Sequence, residues 1–566
     1  MILKDDFHVN RFLFRKRINW IQELSPQGLL MTVILIVFLI LTCKAPLQKD
    51  GAAKSPLIRI GILEHKNVVE FKIAGQANFR TRDRSLMMRN LQAGHWKVET
   101  RYARAAKIKY RLVVGTTRDR FKAEEILRFV SDKKLDAQIE KYTRRQKLNL
   151  PYFKRTTYQV VLDREFNTKN DALVFQRAIK SKTGSEVIEV ATGQAQGVLR
   201  FTHLGSKYSF DSSEEVRFNT DNIELLNVDV GSGYHWESQK NRHYAGMLEF
   251  VLDVHGAITV INELSLEDYL KGVVPSEMPV SFPFEALKAQ AVAARVEAVS
   301  KIGLRHPQEP FDLCDDVHCQ VFSGKSRQSK SSNDAVESTR GIFMTYRKSI
   351  IDAFYSAVCG GHTENNENVW VMDARPYLRG LLDKRGRGSK RLGSSLQKEN
   401  NVKKWIDSRP DVNCNTVSKK VPSSLNYSKK YFRWQKVYKR KDLEQILRDK
   451  TNMDFGQLLN LIPVKRGVSG RLMELLVVGT KKRFKLEKEL TIRRALSKNT
   501  LFSASFYIVK EGKSKLPERF ILKGAGWGHG VGMCQIGAAN MALHKKKFDE
   551  ILTHYYKGVT LDILYN

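Results

Sequence analysis

Alternating apolar and polar positions predict a run of β-strands in the middle of the chain. The alternation has a period of two, which is typical of strands with one buried face. The segments are YSFDSSEEVRF, NIELLNVDV, MLEFVLDV and AITVINEL, between Tyr208 and Leu264. The period then becomes helical, with apolar residues recurring at Leu287, Ala291, Ala294 and Ala298. We therefore expect an α+β fold in which mostly antiparallel strands accompany an Ala-rich helix.

Local signals place the ends of this helix and the character of the segments that follow. Ser281 is the expected N-cap, Pro283 falls in the first turn, and Gly303 suits the C-terminal end. Leu382–Asn426 is rich in lysine and serine and poor in apolar residues, which predicts a long surface loop. Glu444–Leu461 is predicted to be helical.

Two units with the same pattern lie in a basic region, 57–202. Each unit has an apolar strand, a helical stretch and a second short apolar stretch, and the first strands begin at Tyr110 and Tyr158, about 48 residues apart. Such self-similarity predicts two βαβ-like repeats. They resemble SPOR domains, and the resemblance implies binding of glycan strands stripped of peptides. A structural βαβ module without a ligand fits the pattern equally well.

An apolar run near the N-terminus, Leu29–Leu41, indicates where in the cell the protein is located. The basic residues that precede it are Arg11, Arg15, Lys16 and Arg17. We interpret 1–27 as a cytoplasmic basic tail, 28–43 as a transmembrane signal anchor and 44–56 as a polar linker. The protein would then be a single-pass protein of the cell (inner) membrane with its bulk exported. A cleaved signal, or one lipidated at Cys43, is the alternative.

The charge balance is strongly basic, with 96 Lys and Arg against 60 Asp and Glu and a formal net charge of +36. Such a surface favours polyanions, which include nucleic acid, anionic lipid and anionic cell-wall polymers. A solvated lysine-rich surface without a partner is the alternative. Zinc-finger spacing, a homeodomain-like helix and an aromatic RNP pattern are all missing from the sequence, so we expect no nucleic-acid partner.

Glu277 is the candidate acid, in the sequence VVPSEMP. It follows Gly272–Pro275, which predicts a turn, and precedes the Ala-rich helix. An acid held at a bend beside a rigid helix suits proton transfer, although a solvated surface glutamate has the same local pattern. The apolar neighbours Met278, Pro279 and Phe282 are of the kind that raises a carboxyl pKa.

A second group combines cysteine and histidine at short spacing in HPQEPFDLCDDVHCQVFSG. Its members are His306, Cys314, His318 and Cys319. These residue types are ligands of structural zinc, so we expect one zinc ion here. A Cys314–Cys319 disulfide, or free thiols, is the alternative.

Two further motifs are rich in glycine, SAVCGGHTENNENVW from Ser356 and GAGWGHGVGMCQIGA from Gly524. The second lacks the phasing of a dinucleotide fingerprint and the Lys-Ser/Thr of a P-loop. Glycine lets a backbone approach a ligand closely, but a glycine-rich turn that leads into a helix looks the same. A Cys359 nucleophile is disfavoured. A Cys359–Cys534 disulfide stays open.

Taken in order, VVPSEMP and the two glycine-rich motifs resemble the SpoIID/LytB family. The resemblance runs from about Gly205 to the C-terminus, so that 205–566 is the predicted catalytic domain, with the Ala-rich helix behind its active-site cleft. It implies that Glu277 is the catalytic acid of a peptidoglycan lytic transglycosylase. The implied substrate-binding residues are Trp527, Gly528, His529, Gly530, Gln535, Gly360, Gly361 and His362.

A lytic transglycosylase can use one carboxyl twice, first as acid and then as base, so that no second acid is needed. The resemblance also implies peptide-stripped peptidoglycan glycan strands as substrate, a partner amidase, and the Cys2His2 zinc site. The alternative function is a non-catalytic peptidoglycan-binding protein that enhances the amidase. Many relatives have AARTYA where this chain has AARVEA, from Ala293, which puts the substrate preference in question.

Overall fold

The computed structural model describes residues 54–566, apart from short gaps. The gaps are 76, 82–86, 144–147, 149, 155, 180–183, 220–222, 232–236, 385–394, 418–420 and 513–515. The predicted basic tail 1–27, the signal anchor 28–43 and nearly all of the linker 44–56 lie outside the described residues. Within the part of the chain that is described, no helix is both long and apolar enough to cross a membrane.

The N-terminal half is built mainly of strands. It begins with β1 (Leu57–Lys66), β2 (Val68–Ile73), β3 (Ala77–Thr81), β4 (Met87–Leu91) and β5 (Gly94–Arg104). The repeats follow as β6 (Lys107–Thr117), α1 (Arg120–Asp132), β7 (Ala137–Thr143), β8 (Thr156–Leu162), α2 (Lys169–Ile179) and β9 (Glu186–Thr192). The next strands are β10 (Gln196–His203), β11 (Ser209–Ser212), β12 (Val216–Asn219), β13 (Ile223–Val230), β14 (Ser238–Tyr244), β15 (Met247–Leu252) and β16 (Ile258–Ser265).

Two sheets pack face to face as a sandwich. Among the described residues, one has seven strands in the order β17-β1-β16-β15-β12-β3-β4, where β17 is Leu313–Cys314, and the other has six in the order β11-β10-β5-β2-β13-β14. Only the β1–β17 pair is parallel in these two sheets as described. Phe71 and Phe201 of one sheet contact Phe218 and Phe250 of the other, with ring centroids 5.1–5.8 Å apart. The expected mixed fold with mostly antiparallel strands is confirmed.

The predicted division between 57–202 and 205–566 does not follow the sheets. β1 pairs with β16, β3 pairs with β12, and β5 pairs with β10. Residues 57–104 therefore belong to the same sandwich as residues 196–265. The alternation of a short segment shows that it is a strand, but it does not show which distant strand it pairs with.

The repeats form a module of their own between β5 and β10. Their strands make a four-stranded antiparallel sheet in the order β7-β8-β6-β9, within the described part of the chain. The two strands of each repeat are thus separated by a strand of the other repeat. A small apolar core that includes Leu112, Val130 and Val160 lies between the sheet and the two helices. The strand–helix–strand content predicted for each repeat is present.

The remaining elements alternate helices with short strands. The central ones are α3 (Leu266–Glu277), α4 (Phe284–Lys301), α5 (Lys330–Glu337), β18 (Ile342–Tyr346), β19 (Ser349–Ile350), β20 (Tyr355–Ser356) and α6 (Asn366–Val369). The next are α7 (Glu399–Asp407), a 3-10 helix (Ser423–Ser428), α8 (Lys429–Phe432), β21 (Trp434–Lys439), α9 (Arg440–Thr451), β22 (Leu458–Arg466), β23 (Leu472–Gly479), β24 (Arg483–Glu487) and α10 (Glu489–Ala495). The last are β25 (Phe506–Glu511), β26 (Arg519–Gly524), β27 (Met533–Cys534), α11 (Gln535–Leu543), α12 (Phe548–Tyr555) and β28 (Thr560–Ile563).

The predicted surface loop at Leu382–Asn426 is wrong for its described residues. It contains α7, whose residues Val402, Trp405 and Ile406 are buried, and Cys414 is fully buried. Apolar residues are few here, but their spacing in α7 places them on one helical face, and that face reaches the core. The predicted helix at Glu444–Leu461 is also too long, because α9 ends at Thr451 and β22 follows.

Helix α4 is buried on every side, as expected for a helix without a polar face. It packs against α3, α5, β18, α11 and α12. Its small side chains allow these elements to come close to its axis. The N-cap residue is Pro283 and not Ser281, and no side chain caps the first turn. Proline suits this position because its fixed φ is compatible with entry into a helix.

An ion pair lies inside this packing. The guanidinium of Arg295 on α4 donates two hydrogen bonds to the carboxylate of Glu267 on α3, at 2.8 and 2.7 Å. Both side chains are essentially inaccessible to solvent. Arg295 also donates to the carbonyl oxygens of Val336 and Ile342, and the Tyr565 hydroxyl donates to Glu267. The pair thus joins α4 to α3, to α5 and to the C-terminal residues.

We expect Arg295→Met to lower the free energy of unfolding by about 3–5 kcal/mol, because it leaves the buried Glu267 carboxylate unpaired. Urea denaturation would measure the loss. The control is Lys330→Met, which breaks the exposed Lys330–Asp334 pair and should cost about 0–1 kcal/mol. Similar losses in the two variants would show that the buried pair has no special part in stability.

Candidate functional site

Glu277 is the last residue of α3, where the chain turns toward α4. The segment Gly272–Pro275, expected as a turn, belongs to the helix instead. Gly272 fits there because a Cβ at this position would lie 2.5 Å from the ring of Phe322. Pro275 provides no N–H to the helix, and α3 ends two residues later. The close packing of α3 on Phe322 therefore brings the glutamate next to the segment that follows the Cys/His group.

The carboxylate of Glu277 is partly buried and has defined partners. Its Oε1 accepts a hydrogen bond from the main-chain N–H of Val321 at 3.0 Å, and the Tyr355 side chain is a further hydrogen-bond partner. Burial raises the pKa of Glu277, while the Val321 N–H and the nearby Lys301 oppose the rise. The result is a carboxyl group that holds its proton to a higher pH than an exposed glutamate does.

The two glycine-rich motifs are interleaved beside this carboxylate. β20 pairs in parallel with β27, Val358 forms a bridge with Trp527, and Glu364 forms a bridge with Val531. Gly528 has a φ of +100°, and a Cβ there would lie 2.9 Å from the side chain of Ser356. Glycine is therefore required here by both conformation and space. The motifs are distant in sequence but form one continuous piece of structure.

Of the five predicted binding residues on the second motif, three have side chains, namely Trp527, His529 and Gln535. Gln535 donates from Nε2 to the main-chain oxygen of Glu277 at 2.9 Å, so it is directly connected to the candidate acid. Trp527 stacks on Tyr431 with ring centroids 4.3 Å apart, which covers one of its faces. Burial lowers the pKa of His529 to about 3, and its Nδ1 accepts from the Val531 N–H at 3.0 Å. His529 is therefore neutral near physiological pH.

The other predicted binding residues are packed against protein atoms. A Cβ on Gly530 would lie 2.3 Å from the guanidinium of Arg471, and one on Gly361 would lie 2.8 Å from the ring of Trp405. Gly360 is buried against Ala525. Burial lowers the pKa of His362, whose Nδ1 lies 2.7 Å from the main-chain oxygen of Thr363. These contacts account for the glycine conformations without a ligand, and a role in binding stays a prediction.

Sequence reasoning missed the residues that hold the Glu277 carboxylate. Tyr355 immediately precedes the first glycine-rich motif, and its hydroxyl accepts from Gln320 Nε2 at 2.9 Å. Gln320 is in turn 3.4 Å from the hydroxyl of Tyr269 on α3. Val321 acts through its main chain, so its side chain gives no signal. The position of Tyr355 beside a motif was the one available indication.

The predicted metal ligands do come together. The ligand atoms of His306, Cys314, His318 and Cys319 all lie within 4.8 Å of one another. Cys319 Sγ is 3.4 Å from His306 Nε2, and Cys314 Sγ is 3.8 Å from His318 Nδ1. Two thiols and two imidazoles at this spacing fit a tetrahedral metal site. Cys314 and Cys319 are free thiols in this structure, so the alternative disulfide is not formed.

The remaining described cysteines are also free, so the Cys359–Cys534 disulfide that the sequence left open is not formed. Cys414, expected in a polar loop, lies instead beside Cys359, with the two sulfur atoms 3.5 Å apart. Together with Asp383 and Cys534 they form a second buried group of potential metal ligands.

Two family models match parts of this chain. Residues 254–346 match the family described as Stage II sporulation protein, and residues 364–532 match a domain of unknown function (DUF8618). A stage II sporulation protein D of Bacillus amyloliquefaciens is 30% identical over 315 residues, which cover 53% of this chain and 75% of that protein. The chain belongs to the SpoIID family. Glu277 and the Cys2His2 group both lie within the SpoIID match.

Two other relatives are similar to this chain over comparable lengths. An uncharacterized protein of Brachyspira hyodysenteriae is 32% identical over 318 residues, covering 56% of this chain and 72% of that protein. A protein of Bacillus subtilis named amidase enhancer is 30% identical over 302 residues, covering 52% of this chain. The aligned region spans only 40% of that amidase enhancer. The predicted resemblance to the SpoIID/LytB family is confirmed at the level of family membership.

The raised pKa of Glu277 has a consequence for stability. The folded protein binds this proton more tightly than the unfolded chain, in which a glutamate has a pKa of about 4.3. The contribution of Glu277 to stability is therefore full below that pH and is lost as the pH rises through the folded pKa. We expect Glu277→Gln to melt at a higher temperature than the wild type at pH 8, but not at pH 4.

Differential scanning calorimetry at the two pH values would measure this difference. The control is Glu337→Gln, because Glu337 is 44% exposed and pairs with Lys271 on the surface of the protein. That change should not raise the melting temperature at pH 8. A Glu277→Gln variant that is less stable than the wild type at pH 8 would contradict the inferred cost of burying the carboxylate.

Proposed function

We propose that this SpoIID-family protein cleaves peptidoglycan glycan strands as a lytic transglycosylase, with Glu277 as the single general acid and base. The observation that supports this most is the environment of Glu277. It is a partly buried carboxyl group with a raised pKa, held by a main-chain N–H and by Tyr355. A general acid needs a proton near the working pH and a fixed position, and burial and hydrogen bonding supply these two requirements.

The reaction uses the same carboxyl group twice. Protonated Glu277 gives its proton to the glycosidic oxygen, and the bond from the muramic acid C1 to that oxygen breaks. The carboxylate then takes the proton of the muramic acid C6 hydroxyl, whose oxygen bonds to C1 and closes a 1,6-anhydro ring. The Val321 N–H occupies Oε1, so we assign the transferred proton to Oε2. Water is not consumed.

The nearest alternative is hydrolysis, which normally needs a second carboxylate as base or nucleophile. Glu297 lies close enough to raise the pKa of Glu277. Its oxygens, however, are held by Lys301 Nζ at 2.9 Å and by the Ala353 N–H at 3.1 Å. Glu297 is only 3% exposed, which argues against its activating a water molecule. Its contacts support a positioning role and a one-carboxyl mechanism.

We also propose that His306, Cys314, His318 and Cys319 hold one structural zinc ion. Four protein ligands would close the coordination sphere, as in structural zinc sites. Zinc would fix the segment that continues directly into Gln320 and Val321. The same segment is already tied to α4, because Lys301 Nζ donates to the main-chain oxygen of Cys319 at 2.6 Å. The site would therefore stiffen the segment that holds the Glu277 carboxylate.

The wider proposal places the protein at the cell wall. Residues 28–43 would anchor it in the cell membrane with its bulk exported, and the repeats, with their SPOR-like pattern, would bind peptide-stripped glycan. A relative is named amidase enhancer, which favours a second function for the same cleft: holding glycan for a partner amidase without cleaving it. Incubation with purified, peptide-stripped glycan strands separates the two, because only the enzyme yields anhydro-muramic ends.

The amide variant Glu277→Gln should lower the cleavage rate by about 10²–10⁴-fold, the usual loss when a general acid is removed. Glutamine can still accept the Val321 N–H, so the protein should fold and bind glycan as the wild type does. Mass spectrometry of anhydro-muramic products would measure the rate.

Glu337→Gln, a surface change on α5, is the matched control and should cleave at the wild-type rate. Cleavage by Glu277→Gln at the wild-type rate would rule out the acid role. A wild-type protein that binds glycan tightly but releases no anhydro products would favour the amidase-enhancer function.

For the metal, we expect the Cys314→Ser/Cys319→Ser double variant to contain one zinc ion fewer per chain than the wild type and to melt at a lower temperature. Elemental analysis and thermal denaturation would measure the two effects. The control is His243→Ala, which removes a 55% exposed histidine outside the group and should leave the metal content unchanged. Equal zinc in the double variant and the wild type would end this assignment.

A further inference from the structure

The second group of potential ligands brings four separate segments to one point. Cys359 lies in the first glycine-rich motif, Asp383 and Cys414 lie on either side of α7, and Cys534 is the N-cap residue of α11. All four side chains are buried, and their ligand atoms lie within 4.8 Å of one another. We propose that these four residues bind a zinc ion, a second metal site distinct from the Cys2His2 group.

The distances between the ligand atoms fit such a site. Cys359 Sγ is 3.5 Å from Cys414 Sγ and 3.3 Å from Asp383 Oδ2. Tetrahedral zinc with bonds of about 2.3 Å to sulfur and about 2.1 Å to oxygen separates neighbouring ligand atoms by about 3.6–3.8 Å. A disulfide requires its two sulfur atoms to be about 2.05 Å apart. Small shifts of the four side chains would complete the tetrahedral site. All four ligands then come from the protein, and no coordination position is left for water.

Main-chain N–H groups point to two of the three sulfur atoms, those of Cys359 and Cys534. The main-chain N–H of Gly361 points to Cys359 Sγ at 3.4 Å. Cys534 Sγ receives the N–H groups of Cys359 at 3.2 Å and Gly537 at 3.4 Å. Main-chain donors of this kind stabilise the negative charge of a ligand and fix its orientation. Three sulfur ligands also favour zinc over magnesium or calcium, which prefer oxygen.

Asp383 is oriented for the same purpose. Its Oδ1 accepts hydrogen bonds from Asn413 Nδ2 at 2.9 Å and from the Tyr555 hydroxyl at 3.0 Å, and it is 3.2 Å from His554 Nε2. The other oxygen, Oδ2, is directed toward the sulfur of Cys359. Hydrogen bonds that hold one oxygen while the other faces the ion are typical of a carboxylate ligand. A fully buried carboxylate beside three cysteines is otherwise costly, and a divalent cation would offset that cost.

A metal here would tie the candidate cleft to the segment matched by the domain of unknown function. Cys534 directly precedes Gln535, which holds the main chain of Glu277. Cys359 and Gly360 belong to the motif that pairs with Trp527. Cys414 comes from the segment after α7, far away in sequence. The ion would therefore fasten the two glycine-rich motifs to the segment that carries Cys414, as a structural element and not as a reactant.

The test is the zinc content of the purified full-length chain, measured by elemental analysis. The wild type should contain about two zinc ions per chain, Cys414→Ser about one, and Cys314→Ser/Cys319→Ser about one. Cys414→His, which replaces one zinc ligand by another, should restore about two. Should the Cys2His2 group bind no metal, the wild type would contain about one ion, and Cys414→Ser would still lose it.

Cobalt substitution gives a second readout that does not depend on cleavage activity. Cobalt in the new site should show the stronger sulfur-to-metal charge-transfer absorption, because it has three thiolate ligands and the Cys2His2 group has two. That absorption should fall in Cys414→Ser and persist in Cys314→Ser/Cys319→Ser. The proposal is overturned if Cys414→Ser keeps the full wild-type zinc content. A disulfide among Cys359, Cys414 and Cys534 in the purified wild type would also overturn it.

Discussion

The burial of α4 is the constraint on which the rest of the half that contains Glu277 depends. A helix enclosed by α3, α5, β18, α11 and α12 can carry only small or paired side chains on its surface. Its charged residues are therefore all engaged. Arg295 is bonded to Glu267, and Glu297 to Lys301 and the Ala353 N–H. Each of these contacts fixes a neighbouring segment, so the packing of one helix determines the positions of several others.

The environment of Glu277 follows from the same packing. Lys301 at the end of α4 binds the main chain at Cys319, two residues before the Val321 N–H that contacts the acid. Glu297 binds the main chain at Ala353, two residues before Tyr355. The two partners of the Glu277 carboxylate are thus both positioned from α4. This arrangement explains how a carboxyl group can be kept in a place where its charged form is disfavoured.

Much of this could be predicted from the sequence, because the informative signals are local. Glu277 is marked by its motif, the Cys2His2 group by short spacing, and the strands by alternation. Asp383 and Cys414 were missed because they lie 24 and 55 residues from Cys359 in sequence, and no local pattern predicts contacts over such separations. The pairing of β1 with β16 across the predicted division near residue 205 was missed for the same reason, since the two strands are almost 200 residues apart in sequence.

The segment around Glu277 and the glycine-rich motifs beside it are held by different physical means. The Glu277 side relies on apolar packing around α4, which needs only small side chains at regular spacing. The glycine-rich motifs instead have segments of backbone packed directly against each other. At Gly532, for example, a Cβ would lie 2.0 Å from the carbonyl oxygen of Phe354. Glycines lose more conformational entropy on folding than other residues do, so the glycine-rich motifs contribute less to the stability of the fold. Cross-links between distant segments, such as the cluster around Cys359, are the kind of interaction that can offset that loss.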